Sequence, residues 1–575
     1  MRALASVPQT LSEPRATVPR IVLPITSRGL AVTDRLCWVI LAVAMATAAA
    51  LILYLNRGTT FYFDELTWLY QSPGLDTPGE VLEPHNGHLI ATTRLVFKAI
   101  LETVGVEYVA FRLLAMASVL LSAGLFYALA KRRIGALPAL APTLVLLFLG
   151  SAWQHVVTPL GFPIVFSVAA GLAALLVLER HDRPGDIAAC LLLVLSVATY
   201  STGLAFLVGV AVSVLLRSDR RPRAWVFIVP LALYAVWWLW SLSSPTSAES
   251  ETTPSNALLI PNWVADSLAT VMAGLSGLGY GFAAEVPDIV DPAWGRVLAA
   301  LAIVAFALRI RRGSVPPSVW AFLGIALTYW ALGALARDPT RSPESIRYIY
   351  MGSVAVLLVG VAAVPSIRFS KRRLAILFAV AAVCLGANLA LLRDAGKTFR
   401  GYSAGVQSQL AVLELARDRV DPNFDPPEVS LVTAPASAYF AVVDRYGSAA
   451  YSLAELERQS EGVRGAADRA LSDELGLRLQ ASRAGPLAGR CETVSRGGAG
   501  AAIAFELPRR GATLRVRGAA PATLTLGRFG DLPSADLGSL SPGEAATLRI
   551  PPDASPRPWL ASVAGARSVE VCPPR

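Results

Sequence analysis

The chain has 575 residues, of which 54% are hydrophobic and only 16% charged, and its mean hydropathy of +0.52 excludes an ordinary soluble protein. Its net charge of +10 does not point to nucleic acid, because the basic residues gather in short loops between apolar runs, as in membrane proteins. Apolar stretches of about 20 residues recur through the first 392 positions, each long enough to cross a hydrocarbon core of ~30 Å.

A Pro-rich, basic leader occupies residues 1–35. The first apolar run and its long polar leader favour a retained anchor over a cleaved signal peptide. The pattern predicts a mainly α, polytopic helical bundle with eleven spans, at 36–55, 108–130, 136–151, 162–178, 187–200, 203–216, 224–242, 295–309, 317–336, 347–365 and 374–392. Basic clusters fall at every second connection: the leader with Arg35, Lys131 to Arg133, Arg180 with Arg183, Arg217 to Arg223, Arg309 to Arg312, and Arg368 to Arg373. The positive-inside rule makes these connections, and the N-terminus, cytoplasmic. The alternate connections are acidic, and loop 243–294 holds no Lys or Arg. The segment Trp263 to Ala283, rich in Gly, reads as an interfacial or re-entrant helix, since a further span would invert every later loop.

Just beyond the first span stands Phe61-Tyr-Phe-Asp-Glu-Leu-Thr-Trp68. Two carboxylates, Asp64 and Glu65, are costly at a membrane boundary unless chemistry needs them. On the outer side there is no nucleotide pool, so they would act on lipid-carried substrates. Further along loop 56–107, Thr77 to Glu83 predicts a short helix capped by Thr77 with Pro78 at its first position. Leu89 to Val104 predicts a surface helix with Arg94, Lys98 and Glu102 on its polar face. Between them, in Pro84-His-Asn-Gly-His88, lie His85 and His88, two of the four histidines. On a helical turn both would point the same way, with Asn86 between them, toward a sugar, a phosphate or a divalent metal held with Asp64 or Glu65. Spacing fixes no third ligand, and a plain cap-and-surface pair is the competing reading.

Arg112 lies one turn inside the second span, where a cation needs an anionic partner such as a phosphate. Trp153-Gln-His155 occupies the tip between the third and fourth spans. Arg347-Tyr348 stands at the start of the tenth span, as a phosphate contact or as interfacial snorkelling beside an aromatic belt.

After the transmembrane domain, 36–395, residues 396–489 read as a mixed α/β segment outside the cytoplasm, with a helix over 401–420 and a strand at Val429 to Thr433. Residues 490–575 read as a β-sandwich of short alternating strands. Cys491 and Cys572 bracket it, and in an oxidising compartment they are expected to pair, contributing about 4 kcal/mol. Cys37, Cys190 and Cys384 lie within spans as small apolar residues.

Taken together, Phe63-Asp64-Glu65 after the first span, the long first outer loop, Arg112, and Arg347-Tyr348 resemble the GT-C superfamily of membrane glycosyltransferases. That group includes protein O-mannosyltransferases, lipid A aminoarabinose transferases and mycobacterial arabinofuranosyltransferases. Pro84-His-Asn-Gly-His88 is similar to a motif in actinobacterial members. The resemblance spans about residues 34–395 and implies an inverting glycosyltransferase of the cell membrane. Its donor would be a sugar on a polyprenyl phosphate, and its acceptor a cell-envelope glycan, lipid or protein. It implies Asp64 as general base, Glu65 positioning the acceptor or a cation, and Arg112 and Arg347 holding the departing phosphate. A transporter or flippase, or a non-catalytic polysaccharide-assembly protein, is the alternative. Transporters usually bury ionisable groups at mid-depth, whereas here the spans hold essentially none at that depth and the charges gather at the outer rim.

Overall fold

The computed structural model describes residues 33–217, 220–244, 254–280, 289–336, 342–364, 369–423, 435–481, 490–495 and 502–574. Nine helices among these are long and apolar enough to cross a membrane: Asp34–Leu55, Tyr108–Ile134, Ala136–Val157, Pro159–Leu178, Ser255–Ser276, Ala293–Arg311, Pro317–Leu335, Ile346–Ala363 and Lys371–Leu415. Large apolar side chains such as Val43, Leu191, Leu301 and Val383 stand exposed along the bundle. In water they would form a continuous sticky surface, and in lipid they are the outer wall.

Eight of the nine coincide with expected spans. Three further expected spans form shorter helices, Arg183–Thr199, Thr202–Leu215 and Trp225–Ser241. Side-chain contacts sort the helix ends into two faces. On one, Lys131 pairs with Asp34 at 2.6 Å, Arg132 and Arg133 both pair with Glu179, and Arg223 clasps Asp186. On the other, Thr93 donates to the carbonyl of Thr199 at 3.4 Å, Trp237 Nε1 donates to the carbonyl of Leu82 at 2.8 Å, and His88 meets Ser201. The three short helices therefore also run from face to face.

Ser255–Ser276 does not follow that rule. At one end Asn256 donates to the carbonyl of Leu335 at 3.1 Å, and Trp263 lies 6.0 Å from Tyr348. At the other, the carbonyls of Gly274 and Leu275 accept from Asn388 Nδ2, whose Oδ1 accepts from the Ser151 amide. Both ends touch the Asp64 face. The helix Ile260–Ser276 lies along that face although its length and composition would let it span. Both ends of Trp263 to Ser276 thus lie on one face, as an interfacial or re-entrant helix requires, and residues 281–283 lie outside the described residues.

The expected span at 374–392 and helix at 401–420 are one 45-residue helix, Lys371–Leu415. It carries the last span straight into the C-terminal part, where helices Ala436–Tyr446 and Glu461–Glu474 follow. The expected strand at Val429 to Thr433 lies outside the described residues. Gly105 adopts φ +68°, and a Cβ there would meet the Tyr446 carbonyl at 2.6 Å. Only glycine lets the first outer loop approach this closely. Arg445 pairs with Glu102 at 2.7 Å, and Tyr446 donates to the same carboxylate at 3.1 Å. The C-terminal part thereby sits on the first outer loop.

The sandwich has two antiparallel sheets. Strands β1 (Leu479–Ala481), β2 (Glu492–Ser495), β3 (Ile503–Glu506), β4 (Gly511–Arg517), β5 (Ala522–Gly527), β6 (Ala535–Leu540), β7 (Ala545–Arg549), β8 (Leu560–Ala564) and β9 (Ser568–Cys572) form the orders β1-β7-β4-β9-β2 and β3-β8-β5-β6. Leu514, Val516, Leu524, Leu548, Val563 and Trp559 are buried in its core. Because β1 pairs with β7, the sheet begins before the expected boundary at residue 490. Cys491 and Cys572 are joined by a disulfide across 81 positions. Cys491→Ser with Cys572→Ser is expected to cost about 4 kcal/mol in the chain-entropy account. Calorimetry of the full chain would show the sandwich transition moving down, and an unmoved transition would refute that account.

Candidate active site

The chain leaves the first span at Asn56, a fully buried C-cap whose Nδ2 donates to the carbonyl of Val157. Phe63 then adopts φ +54°, a conformation that costs a bulky residue about 1–3 kcal/mol, and starts helix Asp64–Gln71. Asp64 and Glu65 occupy its first turn, where the helix dipole favours carboxylates. Neighbours on a helix point about 100° apart, so the two acids enter different surroundings.

Glu65 is fully buried. Its Oε2 accepts from the Tyr62 amide at 3.2 Å and the Tyr108 hydroxyl at 2.8 Å, and its Oε1 accepts from the Leu160 amide at 2.5 Å. Burial pushes the carboxyl up to about 8, against those three hydrogen bonds, which pull it down, with Asp64 adding a small upward push. Both oxygens of Glu65 tie the loop to the fold, one to the second span through Tyr108 and the other to the turn at Pro159–Gly161.

Asp64 is 28% exposed, and its Oδ2 lies 3.4 Å from Nε2 of His85, which is 8% exposed. Trp68, one turn along the same helix face as Asp64, donates its indole N–H to that nitrogen at 3.3 Å. His85 therefore meets a donor and a carboxylate at one atom. With Nε2 unprotonated it accepts from Trp68, and with Nε2 protonated it donates to Asp64. Asn86 Nδ2 approaches the same atom at 3.4 Å.

His85 and His88 do not lie on a helical turn. Their amides and carbonyls are paired reciprocally at 3.0 and 2.8 Å, with Asn86 at φ +50° and Gly87 at φ +77°, the primed turn that Asn-Gly favours. The two rings have different neighbours. His88 Nδ1 lies 2.9 Å from Ser201 Oγ, and its ring is 4.4 Å from Tyr200. Among the described residues no three His, Cys, Asp or Glu side chains form a metal-binding group. The set Asp64, His85, His88 thus does not come together as metal ligands.

Arg112 donates from Nη1 to the carbonyl of Asn56 at 2.5 Å, and its Nε is buried without a hydrogen-bond partner. Its guanidinium lies 5.9 Å from the centre of the Tyr108 ring, so it adjoins the residue that holds Glu65. Arg347 is exposed in the 3-10 turn Ile346–Tyr348. Tyr348 packs against Trp263 and Tyr329. Arg94, expected on a polar surface, is only 3% exposed. It gathers the carbonyls of Glu80, Val81 and Glu83 at the end of helix Pro78–Leu82, which starts with a Thr77–Glu80 capping box. Gln154 donates to the Tyr62 hydroxyl at 3.3 Å, and His155 is buried.

The supporting roles of Trp68 and Tyr108 were not anticipated. The spacing of Asp64 and Trp68 was a legible signal for the first. For Tyr108 the sequence carries none, because the contact joins positions 43 residues apart.

No protein-family model and no curated protein matches the chain. Among solved structures it is similar to the aminoarabinose transferase ArnT from Cupriavidus metallidurans bound to undecaprenyl phosphate, with 14% identity and a TM-score of 0.44 over 72% of this chain and 86% of that one. It is also similar to the arabinosyltransferase EmbB from Mycobacterium smegmatis, with 13% identity and a TM-score of 0.34 over 97% of this chain and 66% of that one. The chain is a multi-pass helical membrane protein with a C-terminal β-sandwich, and both of these structural neighbours are GT-C glycosyltransferases.

Proposed function

We propose that the chain is an inverting membrane glycosyltransferase. It moves a sugar from a polyprenyl-phosphate donor to a hydroxyl of a cell-envelope glycan, lipid or protein. The Asp64 face is the extracytoplasmic one, because the opposite face carries Lys131 to Arg133, Arg180, Arg217 and Arg223, and basic loops stay in the cytoplasm. The observation that carries the reading is the division of labour in the acid pair: Glu65 is buried with both oxygens hydrogen-bonded to the fold, while Asp64 is partly open beside His85.

Asp64 takes the proton of the acceptor hydroxyl as its oxygen attacks the anomeric carbon. The bond from that carbon to the donor phosphate breaks, and the phosphate leaves with the electron pair. Arg112, with a buried Nε and no partner for it, and the exposed Arg347 are the cations that stabilise the departing charge. Tyr348 and the turn of His85, Asn86 and His88 border the acceptor side.

Purified protein incubated with radiolabelled polyprenyl-phosphate sugars and envelope fractions is expected to transfer label. Failure with every sugar would overturn the reading. Separately, a cysteine at position 64 is expected to react in intact cells with an impermeant maleimide. Reaction only after permeabilisation would place Asp64 in the cytoplasm and end the proposal.

A further inference from the structure

On the face opposite Asp64, a cavity of about 510 Å³ opens between four helix ends. Arg133 enters from the last turn of Tyr108–Ile134, Ser213 from Thr202–Leu215 and Phe322 from the start of Pro317–Leu335, while Glu179, His181 and Arg217 come from the adjoining loops. Glu179 is the one acid in this lining and is already shared, at 2.6 and 2.7 Å, by Arg132 and Arg133. Arg217 Nη2 lies 3.0 Å from His181 Nε2. The lining is therefore net positive even with a neutral imidazole. Below this rim the wall is apolar, formed by Leu175, Leu178 and Phe322.

We propose that this cavity binds the phosphate-bearing headgroup of an anionic phospholipid of the basic, cytoplasmic face. A soluble phosphate compound would use the rim alone. A lipid uses both parts, the arginines for its phosphate and the apolar wall for its glycerol-ester region. Basic pockets between helix ends meet anionic headgroups at that leaflet. The site lies across the membrane from Asp64, and its test does not depend on sugar transfer.

Full-length protein in neutral detergent is titrated with phosphatidylglycerol, phosphatidylcholine or inorganic phosphate, reading the thermal midpoint and the lipid retained in native mass spectrometry. Phosphatidylglycerol is expected to raise the midpoint and stay bound, and the other two to do neither. Arg217→Gln is expected to weaken phosphatidylglycerol binding about fivefold. Arg312→Gln, an exposed arginine of the same face outside the lining, is expected to leave it unchanged. If Arg217→Gln does not accumulate, His181→Asn gives the second reading, since it removes the ring beside Arg217 from a position at φ +59° that Asn tolerates; it too is expected to weaken binding. An equal response to inorganic phosphate or to phosphatidylcholine overturns the proposal. So does equal weakening by Arg312→Gln and the cavity variant, which would mean diffuse surface attraction.

Discussion

Asp64→Asn is expected to lower sugar transfer by ~10²–10⁴-fold, the usual worth of a general base, while the protein inserts and melts as the parent does. Asparagine keeps the size of the side chain and its place in the first turn of Asp64–Gln71, but it cannot take the acceptor proton. Glu65 cannot substitute, because its oxygens already face Tyr62, Tyr108 and Leu160. Loss of an interaction made only in the transition state should lower kcat and kcat/KM together. His85→Gln should act differently: it removes the ring beside Asp64 without removing the base, so a smaller loss with an altered pH profile is expected. Parental turnover in Asp64→Asn, measured on the same donor and acceptor, would take Asp64 out of the mechanism.

How much of this was legible in the sequence depended on the range of the physics involved. Spans are local: a run such as Leu36 to Leu55 buries its backbone within itself and shows in composition. In Lys371–Leu415, Arg393-Asp394 and Lys397 interrupt the hydropathy, yet Arg and Lys are good helix formers and Asp394 pairs with Lys397 one turn on at 3.0 Å. Strand β6, with Asp536 and Gly538, is poor in the β-branched and aromatic residues that mark a strand. In the site, the position of the acid pair was legible, and the Asn86-Gly87 turn could have been read from its dipeptide alone. The divergence of Asp64 from Glu65 could not, since it rests on Leu160, 95 residues away, and on burial that only the packed bundle creates.

Glu65→Ala is expected to destabilise the protein by at least ~2 kcal/mol, because the Tyr62 and Leu160 amides lose their acceptor and each stranded buried donor costs about 1–3 kcal/mol. The emptied volume adds to the loss. Arg112 lies beside Tyr108, so loosening that hydroxyl also loosens the cation assigned to the departing phosphate. The pH dependence has a definite sign. Burial raises the folded carboxyl from its ordinary value of 4.5 to about 8, so between these values the folded state holds a proton that the unfolded chain has released. Stability from this group is full below about 4.5 and is lost as pH rises through about 8. The neutral carboxyl can donate to the Tyr108 oxygen, which then accepts instead of donating, and this keeps the knot tied at lower pH. Glu65→Gln preserves the shape without the titration. Its thermal midpoint should therefore fall less than the parent's as pH is raised through that range, and identical slopes in the two proteins would show that the Glu65 proton does not govern the stability of the site.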